Sequence, residues 1–73
     1  MKLAENLKKE MKERKITVRQ LAEKAGVSHG IISQITTGKV DNPRIMTVIN
    51  IAYALDVPVV ELLGLEEKKW QNQ

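Results

Sequence analysis

The chain has 73 residues, 42% of them apolar and 29% charged, with no cysteine and a formal net charge of +3. This composition fits one small, soluble globular domain that buries little surface and so has a thin stability margin. The lack of thiols excludes disulfides and thiolate metal sites and is compatible with a reducing cytoplasm. No apolar run approaches the ~20 residues of a membrane span, and the opening MKLAENLKKE has no apolar segment of the kind a signal peptide needs. The charge is uneven. Residues 1–20 carry seven basic and three acidic side chains, whereas residues 41–60 and the tail from 61 are each net −1. A basic end of this kind suits a polyanionic partner, although on an amphipathic helix the same charges also serve as a solvated face.

Leu3, Leu7 and Met11 recur at helical spacing with charged residues between them, which predicts a first amphipathic helix over about Lys2 to Arg14. Arg14 and Lys15 near its end complement the helix dipole. Next comes TVRQLAEKAGVSHGIISQITTG, residues 17–38. Thr17 with Gln20 three residues on makes a capping box, and Ile16 and Leu21 flank it as a hydrophobic staple. A second helix follows over about Val18 to Ala25. Gly26 stands where a left-handed residue must stop that helix and turn the chain. Ser28 then caps a third helix, about His29 to Thr37, with Val27 and Ile32 repeating the staple. Two short helices, a turn containing Gly and apolar residues pinning the corner make a helix-turn-helix.

Leu21, Ala22 and Ala25 face inward from the second helix, and Val27, Ile32 and Ile35 from the third. That leaves Ser28, His29, Gly30, Ser33, Gln34 and Thr37 outward, with Ile31 on the border. Small polar residues and one amide suit a surface that reads the major groove: Gln can pair with adenine through two hydrogen bonds, and Ser, Thr and His can bond base edges. His29 stands alone, with no Cys, His or carboxylate cluster near it, so metal binding and catalysis are discounted. Base or phosphate contact is weighed there against simple exposure. Gly38 closes the third helix as a C′ residue.

Asn42 reads as a cap and Pro43 as the first residue of a fourth helix. Its apolar positions Ile45, Met46, Val48, Ile49, Ile51, Ala52 and Leu55 are too many for one narrow stripe, which predicts the most buried helix of the fold. Tyr53 is expected at a half-buried core edge. With two aromatics in the chain, a single-strand surface built on base stacking is disfavoured. Pro58 opens a short fifth helix, Val59 to Leu63, closed by Gly64. Leu65 and Trp70 follow in a polar tail.

LAEKAGVSHGIISQITTGK resembles the core of the phage repressor and Cro-type (XRE) helix-turn-helix family. The matching residues are Leu21, Ala22, Gly26, Val27, Ser28, Ile32, Ile35, Gly38 and Lys39. The stretch NPRIMTVINIAYALDVPVVELLG is similar to the family's closing two helices, so the resemblance covers about residues 3–64. It implies an all-α, compact five-helix repressor-like DNA-binding domain over 1–64, with 65–73 a polar tail. Gln34 matches a base-reading position of the family. Gly30 falls where the family often carries a reading side chain, so a base goes unread there or the backbone approaches DNA more closely. Lys39 and Arg44 flank a loop that, by resemblance, runs along a DNA backbone, with Asp41 working against it. Three departures stand out. Thr36 replaces a common acidic residue, removing an ion pair; Pro58 replaces a hydroxyl cap; and Val60 is apolar where polar residues are usual.

These observations point to a sequence-specific double-stranded DNA-binding regulator, a repressor, with Ser28, His29, Gly30, Ser33 and Gln34 toward bases. Arg19, Thr37, Lys39 and Arg44 are assigned to phosphates, Arg19 because the first helix of this motif crosses the backbone. One such domain contacts few base pairs, so a homodimer on DNA is expected, with Val60, Leu65 and Trp70 as candidate contacts. No catalytic residue, metal, cofactor, small-molecule ligand or membrane partner is expected, since the chain holds no nucleophile–base pair, phosphate loop or carboxylate dyad. The resemblance implies a bacterial or phage-encoded cytoplasmic protein. A second reading stays open: a protein-interaction module, such as an antitoxin or anti-repressor, with weak DNA reading.

Overall fold

Residues 2–65 are described by the structure, a computed structural model. Among them the helices are α1 (Leu3–Arg14), α2 (Val18–Ala25), α3 (His29–Thr36), α4 (Ile45–Leu55) and α5 (Val59–Leu63), with no strand. The all-α five-helix architecture expected from the pattern is therefore present. α2 packs against α3 and α4, α1 packs against α3 and α5, and α5 closes against α4. Leu7, Leu21, Ile32, Ile35, Ile51, Leu55 and Leu62 are the largest fully buried side chains. Each such side chain contributes about 1.5–3 kcal/mol by leaving water. No polar or charged side chain is buried among the described residues, so the core itself is wholly apolar.

Several helix ends are set by local chemistry. The capping box at α2 is complete: the Gln20 amide donates to Thr17 Oγ1 at 3.1 Å, and the Thr17 amide donates to Gln20 Oε1 at 2.9 Å. Ile16 and Val27, the residues ahead of the two caps, pack against the core as partly buried side chains, which is the position a staple requires. Gly26 takes a left-handed conformation (φ 72°) with its N–H on the Ala22 carbonyl. α3 ends one residue earlier than the pattern suggests, with Thr37 as its C-cap and Gly38 left-handed (φ 81°) behind it.

Two polar side chains of α1 fasten the far ends of other helices. Arg14 Nε donates to the Leu55 carbonyl at the end of α4 at 3.0 Å, and the same guanidinium pairs with Glu10 one turn back. Asn6 Nδ2 donates to the Leu62 carbonyl of α5 at 3.0 Å. Each satisfies a carbonyl that has no partner within its own helix. Gly64 (φ 76°) lies under Asn6, and a Cβ there would meet its Nδ2 at 3.0 Å.

α4 differs from the sequence expectation in three ways. It starts at Ile45 with Arg44 as an extended N-cap (ψ 144°) and no side-chain cap, so Asn42 does not cap it and Pro43 precedes it. Extended residues advance the chain about 3.3 Å each against 1.5 Å in a helix, which helps span the crossing from α3 to α4. The helix is also not buried all round. Val48, Ile51, Ala52, Ala54 and Leu55 are buried, but Ile45 is 59%, Met46 60% and Ile49 37% exposed. Tyr53, expected half-buried, is 88% exposed. Apolar composition reported how much of α4 could be buried; neighbouring helices cover only one side of it.

This burial map can be checked by urea denaturation. Ile51→Ala should destabilise the domain by about 2–5 kcal/mol, enough to unfold it if its margin is small, whereas Ile45→Ala should stay within about 0.5 kcal/mol. Gly30 sits in the first turn of α3 with nothing within 4 Å of where a Cβ would stand. Gly30→Ala should therefore raise stability by about 0.5–1 kcal/mol, read as a higher urea midpoint.

Candidate nucleic-acid interface

The outward face of α3 follows from how its inward face is held. Ile32 and Ile35 are buried, and their three-residue spacing puts both on one side of the helix. That turns Gly30, Gln34 and Thr37 outward, all exposed, with Ser33 half-buried at the edge and Ile31 partly buried against the core. At the N-terminus Ser28 Oγ accepts from the Ile31 amide at 3.1 Å, so its side chain is the cap of α3. His29 is exposed.

The C-terminal turn of α3 is tied down by its own hydroxyls. Thr36 Oγ1 donates to the Ser33 carbonyl at 3.0 Å, and Thr37 Oγ1 donates to the Gln34 carbonyl at 3.2 Å. The Val40 amide bonds the same Gln34 carbonyl at 3.1 Å, and the Gly38 amide bonds Ile35. Where the resemblance leads one to expect an acidic residue and an ion pair, Thr36 supplies a local hydrogen bond instead. The turn carries Lys39 onto the same side as the outward face of α3. Ser33, Gln34, Thr37, Gly38 and Lys39 together line one open hollow of about 440 Å³.

A second hollow, of about 350 Å³, lies where α2 meets the start of α3. Arg19, Ala22, Glu23, Val27 and His29 line it. Arg19 and His29, assigned separately from sequence, thus share a wall. Glu23 was missed, although it lies one turn beyond Arg19 and must share its face of α2. Its carboxylate opposes an incoming anion on that side. Arg44 is exposed, lines neither hollow and stands at the head of α4. Among the described residues the one ion pair joins Arg14 and Glu10. Arg19, Lys39 and Arg44 therefore hold no carboxylate partner there, and their charges are available to a ligand.

Of the candidate dimer contacts, Val60 is half-buried and Leu65 is exposed, and the two share a hollow with Pro58 and Glu61. Trp70 lies outside the described residues. Sequence reasoning also missed the exposed side of α4. The signal available was that Ile45–Leu55 contains no charged residue at all, so any exposed side of it had to be uncharged. No group of three or more His, Asp or Glu side chains that could hold a metal occurs among the described residues, and no described helix is long and apolar enough to cross a membrane.

Comparison with known proteins agrees with this geometry. A helix-turn-helix family model matches residues 7–62. The HTH-type transcriptional repressor RghR of Bacillus subtilis (strain 168) is 42% identical over 59 residues, which are 81% of this chain and 44% of RghR. The chain thus spans less than half the length of that curated relative. The N-terminal DNA-binding domain of SinR from Bacillus subtilis matches with a TM-score of 0.83 at 32% identity, over 90% of this chain and 96% of that one. SinR in complex with DNA matches with a TM-score of 0.80 at 34% identity, over 84% and 97%. The SinR–SinI complex gives 0.79 at 31%, over 94% and 71%. With the ordered motif, the two-helix corner and these matches in agreement, the chain belongs to the XRE-type helix-turn-helix family.

Proposed function

We propose that the protein is a sequence-specific, double-stranded DNA-binding transcriptional regulator that acts as a repressor, with residues 1–64 as the DNA-binding domain and 65–73 as a polar tail. The observation that carries this reading is the shared hollow of Ser33, Gln34, Thr37 and Lys39 on the outward side of α3. Hydrogen-bonding side chains there lie beside a cation with no described carboxylate partner. The match to SinR, solved with DNA, supports it.

In the proposed mechanism α3 enters the major groove. Gln34 reads a base edge, adenine being the base its amide fits best, and Ser33 and His29 bond neighbouring edges. Gly30 presents only backbone, so the helix seats closely there and one base is left without a side-chain reader. Ser28 meets the DNA with the end of α3 that it caps. Arg19, Thr37, Lys39 and Arg44 hold phosphates on either side, which sets register without carrying sequence information. The few base pairs reached by one α3 call for two copies on half-sites about one helical turn (~34 Å) apart. The protein so read is a cytoplasmic non-enzyme that needs no cofactor.

A second reading, a protein-interaction module with weak DNA reading, draws on the bare Gly30 and on the exposed apolar side of α4. Salt separates the two, because affinity that rests on phosphate contacts falls steeply as salt rises.

Selection from a random duplex library at about 150 mM salt should recover a motif with two related halves about 10 base pairs apart. Gln34→Ala should relax the preference at one position of each half by about 1–3 kcal/mol. Lys39→Ala should weaken all sequences alike and reduce the salt slope by about 1. No enrichment, with both substitutions silent, would sink the assignment of α3 and favour the protein-partner reading.

A further inference from the structure

The exposed side of α4 is ordered as a surface. At 100° per residue, Ile45, Ile49, Tyr53 and Met46 fall within about 100° of arc, and Asn50 extends that arc. The buried residues Ala54, Ile51, Leu55, Val48 and Ala52 fill the opposite side. The four apolar side chains are 59%, 37%, 88% and 60% exposed, in the order given. They lie at successive turns, so they form one stripe along the helix rather than scattered spots, at the upper end of the apolar patch size expected of a monomer.

We propose that this stripe is where a second copy of the chain docks, α4 against α4 in antiparallel order about a two-fold axis near Ile49. Three observations select that occupant. First, the stripe is nearly symmetric about Ile49: Ile45 lies one turn before it and Tyr53 one turn after. An antiparallel partner therefore sets Ile45 of one copy against Tyr53 of the other at both ends, as a two-fold contact requires. Second, α4 has no charge between Arg44 and Asp56, both exposed. A partner of strong charge finds nothing to pair with along the stripe, while a second copy meets no repulsion. Third, the ends are complementary. The first turn of α4 has no side-chain cap and begins at a cation, and its C-cap is Asp56. Antiparallel pairing brings each carboxylate to the other helix's N-terminal end, where the dipole favours it.

The four side chains offer roughly 500 Å² per copy, so the pair covers about 1,000 Å², the lower bound for a specific contact. A contact at that lower bound is of the weak, reversible kind. This inference names the surface behind the pairing that the proposed function calls for, and places it on α4 rather than at Val60, Leu65 and Trp70. Its test is made without DNA, so the failure of either idea leaves the other to be judged separately.

Sedimentation equilibrium of the full chain from 10 μM to 1 mM should show a monomer–dimer equilibrium. Tyr53→Glu, at a position too exposed to disturb folding, should shift it at least tenfold toward monomer with an unchanged circular dichroism spectrum. Ile49→Glu on the axis should do the same. Because the chain has no cysteine, Ile49→Cys should cross-link to a covalent dimer under mild oxidation, while Lys8→Cys on exposed α1 should not. A wild-type chain that stays monomeric at 1 mM overturns the proposal. So does a dimer that survives both glutamate substitutions, since its interface then lies elsewhere.

Discussion

An eight-residue helix does not stand by itself in water, where isolated helices shorter than about 12–15 residues are marginal at best. α3 is such a helix. It exists because Ile32 and Ile35 are seated in the core, and because the Ser28 hydroxyl caps its first turn by accepting from the Ile31 amide. The same two isoleucines fix its rotation. Once they point inward, the sides on which Gln34 and Thr37 emerge are no longer free. Packing and the presentation of the outward face are thus one constraint. A core substitution at Ile32 would alter that outward face without touching a polar residue.

The support beneath α3 comes from α2 and α1. Ala22 is buried with a side chain small enough to let a neighbouring helix approach closely. Gly26 reverses the chain in a conformation that other residues adopt only with strain. α1 contributes Leu3, Leu7 and Met11 from below, and through Arg14 and Asn6 it also closes the ends of α4 and α5. The basic N-terminal helix therefore has a definite structural role. Its lysines Lys8, Lys9 and Lys12 are exposed.

The corner was legible because its determinants are local. A hydroxyl three residues before an amide side chain, or a glycine after the last apolar position, acts within a few residues, and helix periodicity turns spacing into facing. This is why Val18–Ala25 is observed with the bounds read from sequence. α4 was less legible for the complementary reason. Burial depends on what arrives from elsewhere in the chain, and a helix rich in apolar residues reads the same whether it is surrounded or covered on one side. Tyr53 and Ile45 show the limit. Nothing in their neighbourhood of sequence reveals that no other described helix lies over them. Glu23 marks a different limit: its place beside Arg19 on α2 was readable, but its place beside His29 became visible only with α3 packed alongside.

The bond between Lys2 and α5 has a consequence for connectivity. The Lys2 amide donates to the Leu63 carbonyl at 3.3 Å, so the first and last described helices meet one hydrogen bond apart. The domain is close to a ring whose ends have not been joined. Contacts there close a loop of some sixty residues, at a cost in chain entropy that nearer contacts do not carry. A short linker across that gap would make the closure local. It would also allow the chain to be reopened in the Lys39–Arg44 connection, giving a circular permutant with the same core but a different order of helices along the chain.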